Sequence, residues 1–131
     1  MTYKNLVKHA KTARRYSHSP YSHFRVGAAL LTASGKIFTG CNIEISSFGL
    51  TICAERTAVF KAISEGEHKF KAIAVATDEV GFTSPCGACR QVIMDLAGDI
   101  DFVMSNGKGE TRIMKMSVLL PHPFGTKNFS K

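Results

Sequence analysis

The chain has no run of about twenty apolar residues that could cross a bilayer. Its first residues, Met1-Thr2-Tyr3-Lys4-Asn5, lack the apolar stretch of a secretory leader. Repeats and low-complexity segments are missing as well. Acidic residues are scarce, with 10 Asp and Glu against 17 Lys and Arg and a formal charge of +7. Such an excess raises the question of a nucleic-acid partner. No aromatic-interleaved basic stripe accompanies it, however, and beyond a small cluster at Lys11, Arg14 and Arg15 the basic residues scatter. We read the charge as an ordinary basic surface and expect a soluble, cytoplasmic protein with neither a nucleic-acid nor a membrane partner.

With 131 residues and 44% hydrophobic content, the chain has material for one core, and residues 1–131 read as a single domain. Tyr3, Leu6, Val7, Ala10 and Ala13 recur at helical spacing and predict a first helix of about four turns, ending near Ser19-Pro20. Val26–Thr32 and Lys36–Asn42 flank the turn Ala33-Ser34-Gly35 and predict an antiparallel hairpin. A second helix runs from Cys53 to a stop at Gly66, a strand covers Lys71–Thr77, and a third helix covers Cys86–Ala97. The strand, helix, strand, helix, strand succession implies a parallel sheet centre. The last two strands, Asp101–Ser105 and Thr111–Met116, are joined by Asn106 to Glu110, too short for a crossover helix, so as neighbours they must be antiparallel. Met116 to Leu120 reads as a brief final helix, and an irregular tail begins at Pro121.

Four cysteines stand at positions 41, 53, 86 and 89. In a reducing compartment, Cys86-Gly87-Ala88-Cys89 with a distant third cysteine points to a metal or redox site before a disulfide. Cys53 opens one predicted helix and Cys86 another, where unpaired N–H groups and the helix dipole favour thiolate. Three thiolates on a dication leave a net negative site. The two dipoles offset part of that charge, and Arg56, on the first turn after Cys53, is placed to hydrogen-bond a thiolate. Glu55, two residues from Cys53, can reach a metal-bound water without binding metal. Alone it would be an ordinary first-turn glutamate favoured by the dipole.

Cys53-Ala54-Glu55 followed by Pro85-Cys86-Gly87-Ala88-Cys89, with 32 residues between Cys53 and Cys86, resembles the cytidine deaminase branch of the zinc deaminases. The likeness extends over Pro20 to Leu30, Gly40-Cys41-Asn42-Ile43-Glu44, Cys53 to Ala58 and Ser84 to Gln91. It implies a three-layer α-β-α fold with a mixed five-stranded sheet whose last two strands are antiparallel. It implies one Zn²⁺ per subunit on Cys53, Cys86 and Cys89, with Glu55 carrying protons between water and the ring nitrogen. Cytidine and deoxycytidine would then lose ammonia to give uridine and deoxyuridine, a step of pyrimidine salvage. The resemblance further implies that Asn42 and Glu44 grip the sugar, that Phe24 lies beside the pyrimidine ring, that Ala54 is a substrate-binding residue, and that Phe124 reaches the site of a neighbouring subunit in a homotetramer.

Phe48 stands where the bacterial-type pattern has tyrosine, and so removes a hydroxyl at the pocket edge. Cys41 is expected as a buried thiol at a strand end and not as a fourth ligand, because a closed four-cysteine site leaves no position for water. The five histidines fall outside these motifs, and none is assigned to zinc. A structural zinc module would need a fourth ligand and would give Glu55 no task. A thioredoxin-like redox protein would leave Cys53-Ala54-Glu55 unexplained. Nucleic-acid deaminases resemble H-x-E at the first motif and carry parallel last strands, and Asn42-Ile43-Glu44 suits a nucleoside enzyme better than a blasticidin-type one.

Overall fold

The structure, a computed structural model, describes residues 3–125. Helix α1 spans Lys4–Arg14 and buries Leu6, Val7, Ala10 and Ala13 along one stripe. It is about a turn shorter than its apolar spacing suggests. The next position of the stripe is Ser17, whose hydroxyl donates to the Asn42 side-chain oxygen instead of packing. Before that, Arg15, Tyr16 and Ser17 close tighter bonds to the carbonyls three residues back, so the helix ends there.

Five strands follow: β1 (Val26–Thr32), β2 (Ile37–Cys41), β3 (Phe70–Thr77), β4 (Asp101–Ser105) and β5 (Thr111–Lys115), in the spatial order β2-β1-β3-β4-β5. β1 and β2 form the expected antiparallel hairpin, pairing Gly27 with Cys41 and Leu31 with Ile37. β4 and β5 are antiparallel, with Asp101 opposite Lys115. The parallel centre, in contrast, reduces to a single pair, β3 with β4, because β1 lies between β2 and β3 and runs antiparallel to both. The reason is burial. Val26, Ala28, Leu30 and Ala29 are buried on alternating faces, so β1 takes an interior place in the sheet.

The alternation of β3 decides the layers. Ala72, Ala74 and Ala76 face α1 together with Leu6, Val7 and Ala10. Ile73 and Val75 face the opposite side, where α2 (Ala54–Ser64), α3 (Gly87–Ala97) and the short α4 (Met116–Leu119) contribute Ala58, Val59, Ile93, Met116 and Leu119. Small residues on one face let a helix lie close, and the larger ones on the other fill the main core. The result is the three-layer α-β-α arrangement with a mixed sheet.

Gly40 sets how close α2 can come to the sheet. A Cβ there would lie 2.5 Å from the Ala58 amide nitrogen and 2.7 Å from the Ala54 carbonyl oxygen. At its other end α2 stops in a Schellman turn, with Gly66 at positive φ donating to Ile63 O and Glu67 donating to Ala62 O, both at 3.0 Å. The Gly40 contact with Ala54 sets the start of α2, and with it Cys53, while the turn at Gly66 closes the far end. Gly40→Ala is expected to cost about 1–3 kcal/mol in urea unfolding. Gly49→Ala, where a Cβ meets nothing within 4 Å, is expected to stay within about 0.5 kcal/mol. Equal effects of the two would refute the close-approach argument.

Candidate metal centre and its cavity

Two helix starts bring the cysteines together. Cys53 is the N-cap of α2 and Cys86 the N-cap of α3, both in extended backbone, while Cys89 sits in the first turn of α3. N-caps are usually Ser, Thr, Asp or Asn, whose oxygens accept from free N–H groups. Here the Cys86 sulfur does so, accepting from the Cys89 N–H at 3.4 Å. The three sulfurs lie within 4.8 Å of one another, and Cys53 Sγ and Cys86 Sγ are 3.7 Å apart. Sulfurs bound at about 2.3 Å to one tetrahedral ion lie about 3.8 Å apart, so the donor set fits zinc in both type and spacing. Among the described residues the cluster holds these three ligands and not Cys41. Cys41 ends β2 half-exposed instead of buried, and its thiol donates to the Tyr16 carbonyl at 3.3 Å.

The charges around the sulfurs are uneven. Cys53 is held down at about 5, chiefly by the hydrogen bond from the Cys89 thiol and then by Arg56 and Cys86, against an opposing effect of burial. Cys89 is correspondingly pushed up, first by giving that bond to Cys53 and then by its burial. Arg56 Nη2 stands 3.5 Å from Cys53 Sγ, and the thiolate raises the guanidinium in return. Glu55 is 5% exposed, and burial is the main force that lifts its carboxyl to about 7, with the Cys53 charge adding to it. A carboxyl poised there can both take and give a proton near neutrality.

Cys53, Ala54, Glu55 and Cys86 line a cavity of about 250 Å³. Phe24, Asn42 and Glu44 line the same cavity. Asn42 and Glu44 are buried while Ile43 between them is exposed, so the extended alternation continues past β2 and aims both side chains inward. Their polar atoms already serve the loop before β1. Asn42 Oδ1 accepts from Ser17 Oγ and, at 3.0 Å, from Val26 N, while its Nδ2 donates to Phe24 O at 2.7 Å. Glu44 Oε1 accepts from the Tyr21 and Ser22 N–H groups, both at 3.1 Å, and Oε2 accepts from Ser22 Oγ. That set of donors, led by Ser22, holds the Glu44 carboxyl below its ordinary value.

Sequence reasoning missed Thr51 and Thr83 and gave Ser84, at the start of the matching segment, no role, yet all three line the cavity. Their positions one or two residues before the cysteine motifs were the available signal. Phe124 does not line this cavity. It is 57% exposed, and its backbone is bound to Gln91 of α3, which donates to Phe124 O at 2.6 Å and accepts from its N–H at 3.3 Å. Phe48 lies in a single 3-10 turn, Phe48–Leu50, with its ring edge-on to Tyr21 at 5.6 Å.

The family description "Cytidine and deoxycytidylate deaminase zinc-binding region" matches residues 1–105. The chain belongs to that family. A cytidine deaminase of Sporosarcina psychrophila is 47% identical over 131 residues, covering 99% of this chain and 96% of the relative. A probable cytidine deaminase of Dictyostelium discoideum is 52% identical over 120 residues, covering 91% and 81%. Among solved structures, the cytidine deaminase of Burkholderia pseudomallei superposes with a TM-score of 0.91 at 46% identity, over 95% of this chain and 100% of that one. The chain is therefore an enzyme, a hydrolase of the cytidine deaminase kind from a zinc-binding family.

Two measurements follow from these electrostatics. In metal-stripped protein the folded state holds the Glu55 proton up to about 7, whereas an ordinary carboxyl releases it near 4.5. The folded pKa is raised, so this stabilisation is complete below the ordinary value and lost as pH rises through about 7. Glu55→Gln should thus match the parent in urea unfolding near pH 4 and exceed it by on the order of 3 kcal/mol above pH 8. A gain that does not grow with pH would be inconsistent with a buried, neutral Glu55. In the same metal-stripped protein, Arg56→Ala should shift the onset of Cys53 alkylation by iodoacetamide to higher pH. An unmoved onset would show that the guanidinium does not hold the thiolate.

Proposed function

We propose that this enzyme deaminates cytidine and deoxycytidine hydrolytically to uridine and deoxyuridine, releasing ammonia, in pyrimidine salvage. One observation carries the reading: among the described residues three zinc-spaced thiols have no fourth ligand, and two of them, Cys53 and Cys86, line one cavity with a buried carboxyl poised near neutrality. Cys53, Cys86 and Cys89 hold one zinc ion per subunit, which when bound supplies a nucleophilic water at neutral pH. With zinc bound, the Glu55 carboxylate would take one proton from water and deliver it to the pyrimidine ring nitrogen, which prepares C4 for attack; it would then pass the second proton, from the hydroxyl now on C4, to the amino group, which leaves as ammonia. Arg56 offsets the negative charge of the thiolates. Phe24 and Ala54 flank the base, and Asn42 and Glu44 receive the sugar hydroxyls, which favours a nucleoside over a free base.

Residues 1–131 act as one deaminase domain in a cytoplasmic homotetramer, with Phe124 contributing to a neighbouring site. Four unpaired cysteines suit a reducing compartment. Exposed Tyr21, Ile45, Phe48 and Leu50 are the apolar surface that association would cover.

The test pairs metal content with product formation in the purified enzyme. Glu55→Ala should retain zinc and lose about 10²–10⁴-fold or more of uridine formation. Cys41→Ser should retain both zinc and activity. Full turnover by Glu55→Ala would remove that residue from the mechanism, and zinc loss in Cys41→Ser would point to a closed structural site. Solution mass should give a tetramer of the 14.3 kDa chain.

A further inference from the structure

The segment between α1 and β1 has no helix or strand of its own, yet it carries Phe24 and closes one side of the cavity. Two backbone bonds dock it beside β2, His18 N–H to Asn42 O at 3.0 Å and Glu44 N–H to His18 O at 2.8 Å. Its remaining anchors are side chains. Ser22 Oγ donates to Glu44 Oε2 and accepts from the Phe24 N–H at 3.0 Å, while the Phe24 carbonyl is held by Asn42 Nδ2. His23 at φ 59° turns the chain back so that one hydroxyl can bridge the two.

We propose that Ser22 is a positioning residue that couples the sugar end of this site to its base end. The inference rests on the reading of Asn42 and Glu44 as the sugar grip and of Phe24 as the base contact. The hydrogen bonds form a head-to-tail chain from Phe24 N–H through Ser22 Oγ–H to Glu44 Oε2, in which each bond polarises the next. Glu44 Oε1 is already engaged by two N–H groups, so a sugar hydroxyl donating to this carboxylate comes to Oε2, beside the Ser22 proton. Sugar occupancy thereby reaches the peptide that carries Phe24 through protein hydrogen bonds alone. Ser22 itself does not line the cavity, so it acts through Glu44 and Phe24.

The coupling is read from kcat/KM for cytidine and for 2′,3′-dideoxycytidine, which lacks both hydroxyls, using zinc-loaded enzyme. With Ser22 present, Phe24→Ala should cost at least threefold less on the dideoxynucleoside than on cytidine, because removing the sugar contacts has already slackened the chain. In a Ser22→Ala background the two costs should agree within twofold. Ser22→Thr, which restores a hydroxyl, should restore the difference, an outcome that a merely structural serine would not produce. Deleting hydroxyls from the substrate avoids any need to mutate Glu44, whose replacement risks unfolding the loop. Equal costs in the native Ser22 enzyme would overturn the coupling while leaving the sugar reading standing. If the parent enzyme itself treats the two nucleosides alike, the sugar reading fails and the coupling fails with it.

Discussion

Two helix N-termini converge on three sulfurs, and the remainder of the structure is organised around keeping them there. Each N-terminus exposes N–H groups that no residue of its own helix can satisfy, and the dipoles add positive potential at the same point. Cys86 answers both demands, its sulfur accepting the Cys89 N–H, while Cys53 at the start of α2 makes no such bond and meets the dipole with its charge alone. The arrangement is also costly to leave incomplete, since sulfurs this close repel one another once ionised. Without a cation, the cluster shares its protons unequally, Cys53 giving its own up readily and Cys89 retaining its own.

The sheet supplies the distances. β1, β3 and β4 occupy the interior, α2 and α3 pack on one face of the sheet, and their starts meet at the three sulfurs. Gly40 lets α2 rest directly on β2, and the Schellman turn at Gly66 fixes its far end. On the other face, alanines on β3 admit α1 closely, which leaves the segment after α1 directed back across the cavity. That segment is held mainly by Asn42 and Glu44, so two residues that line the cavity also determine the shape of one of its walls. The order of the loop and the shape of the cavity therefore rest on the same hydrogen bonds.

Glu55 illustrates how position converts a common residue into a reactive one. In the first turn of an exposed helix it would be an ionised carboxylate favoured by the dipole. In the wall of the cavity, at 5% exposure and next to a thiolate, its charged form loses solvation and meets a like charge, and the carboxyl rises to about 7. The same burial that costs stability at high pH places its proton within the range where transfer in either direction is easy.

Much of this was legible in the residues themselves. The apolar stripe of α1, the glycine stop of α2, the hairpin, the antiparallel last pair forced by a five-residue connector, and the cysteine spacings all depend on local pattern and chain reach, which sequence records directly. The length of α1 did not follow, because its end is decided by Ser17 turning to Asn42, a partner 25 positions away. Nor did the strand order: succession along the chain suggested a parallel centre, but two-faced burial inserted β1 between β2 and β3. The roles of Thr51, Thr83, Ser84 and Ser22 were silent for the same reason, since hydroxyl residues carry no pattern until the fold decides what they face. Residue identities by themselves determined which chemistry is available, namely three sulfurs, one carboxyl and one guanidinium. Tertiary structure alone decided how acidic each group is and what else it must hold, because burial and long-range hydrogen bonds are properties of neighbours in space.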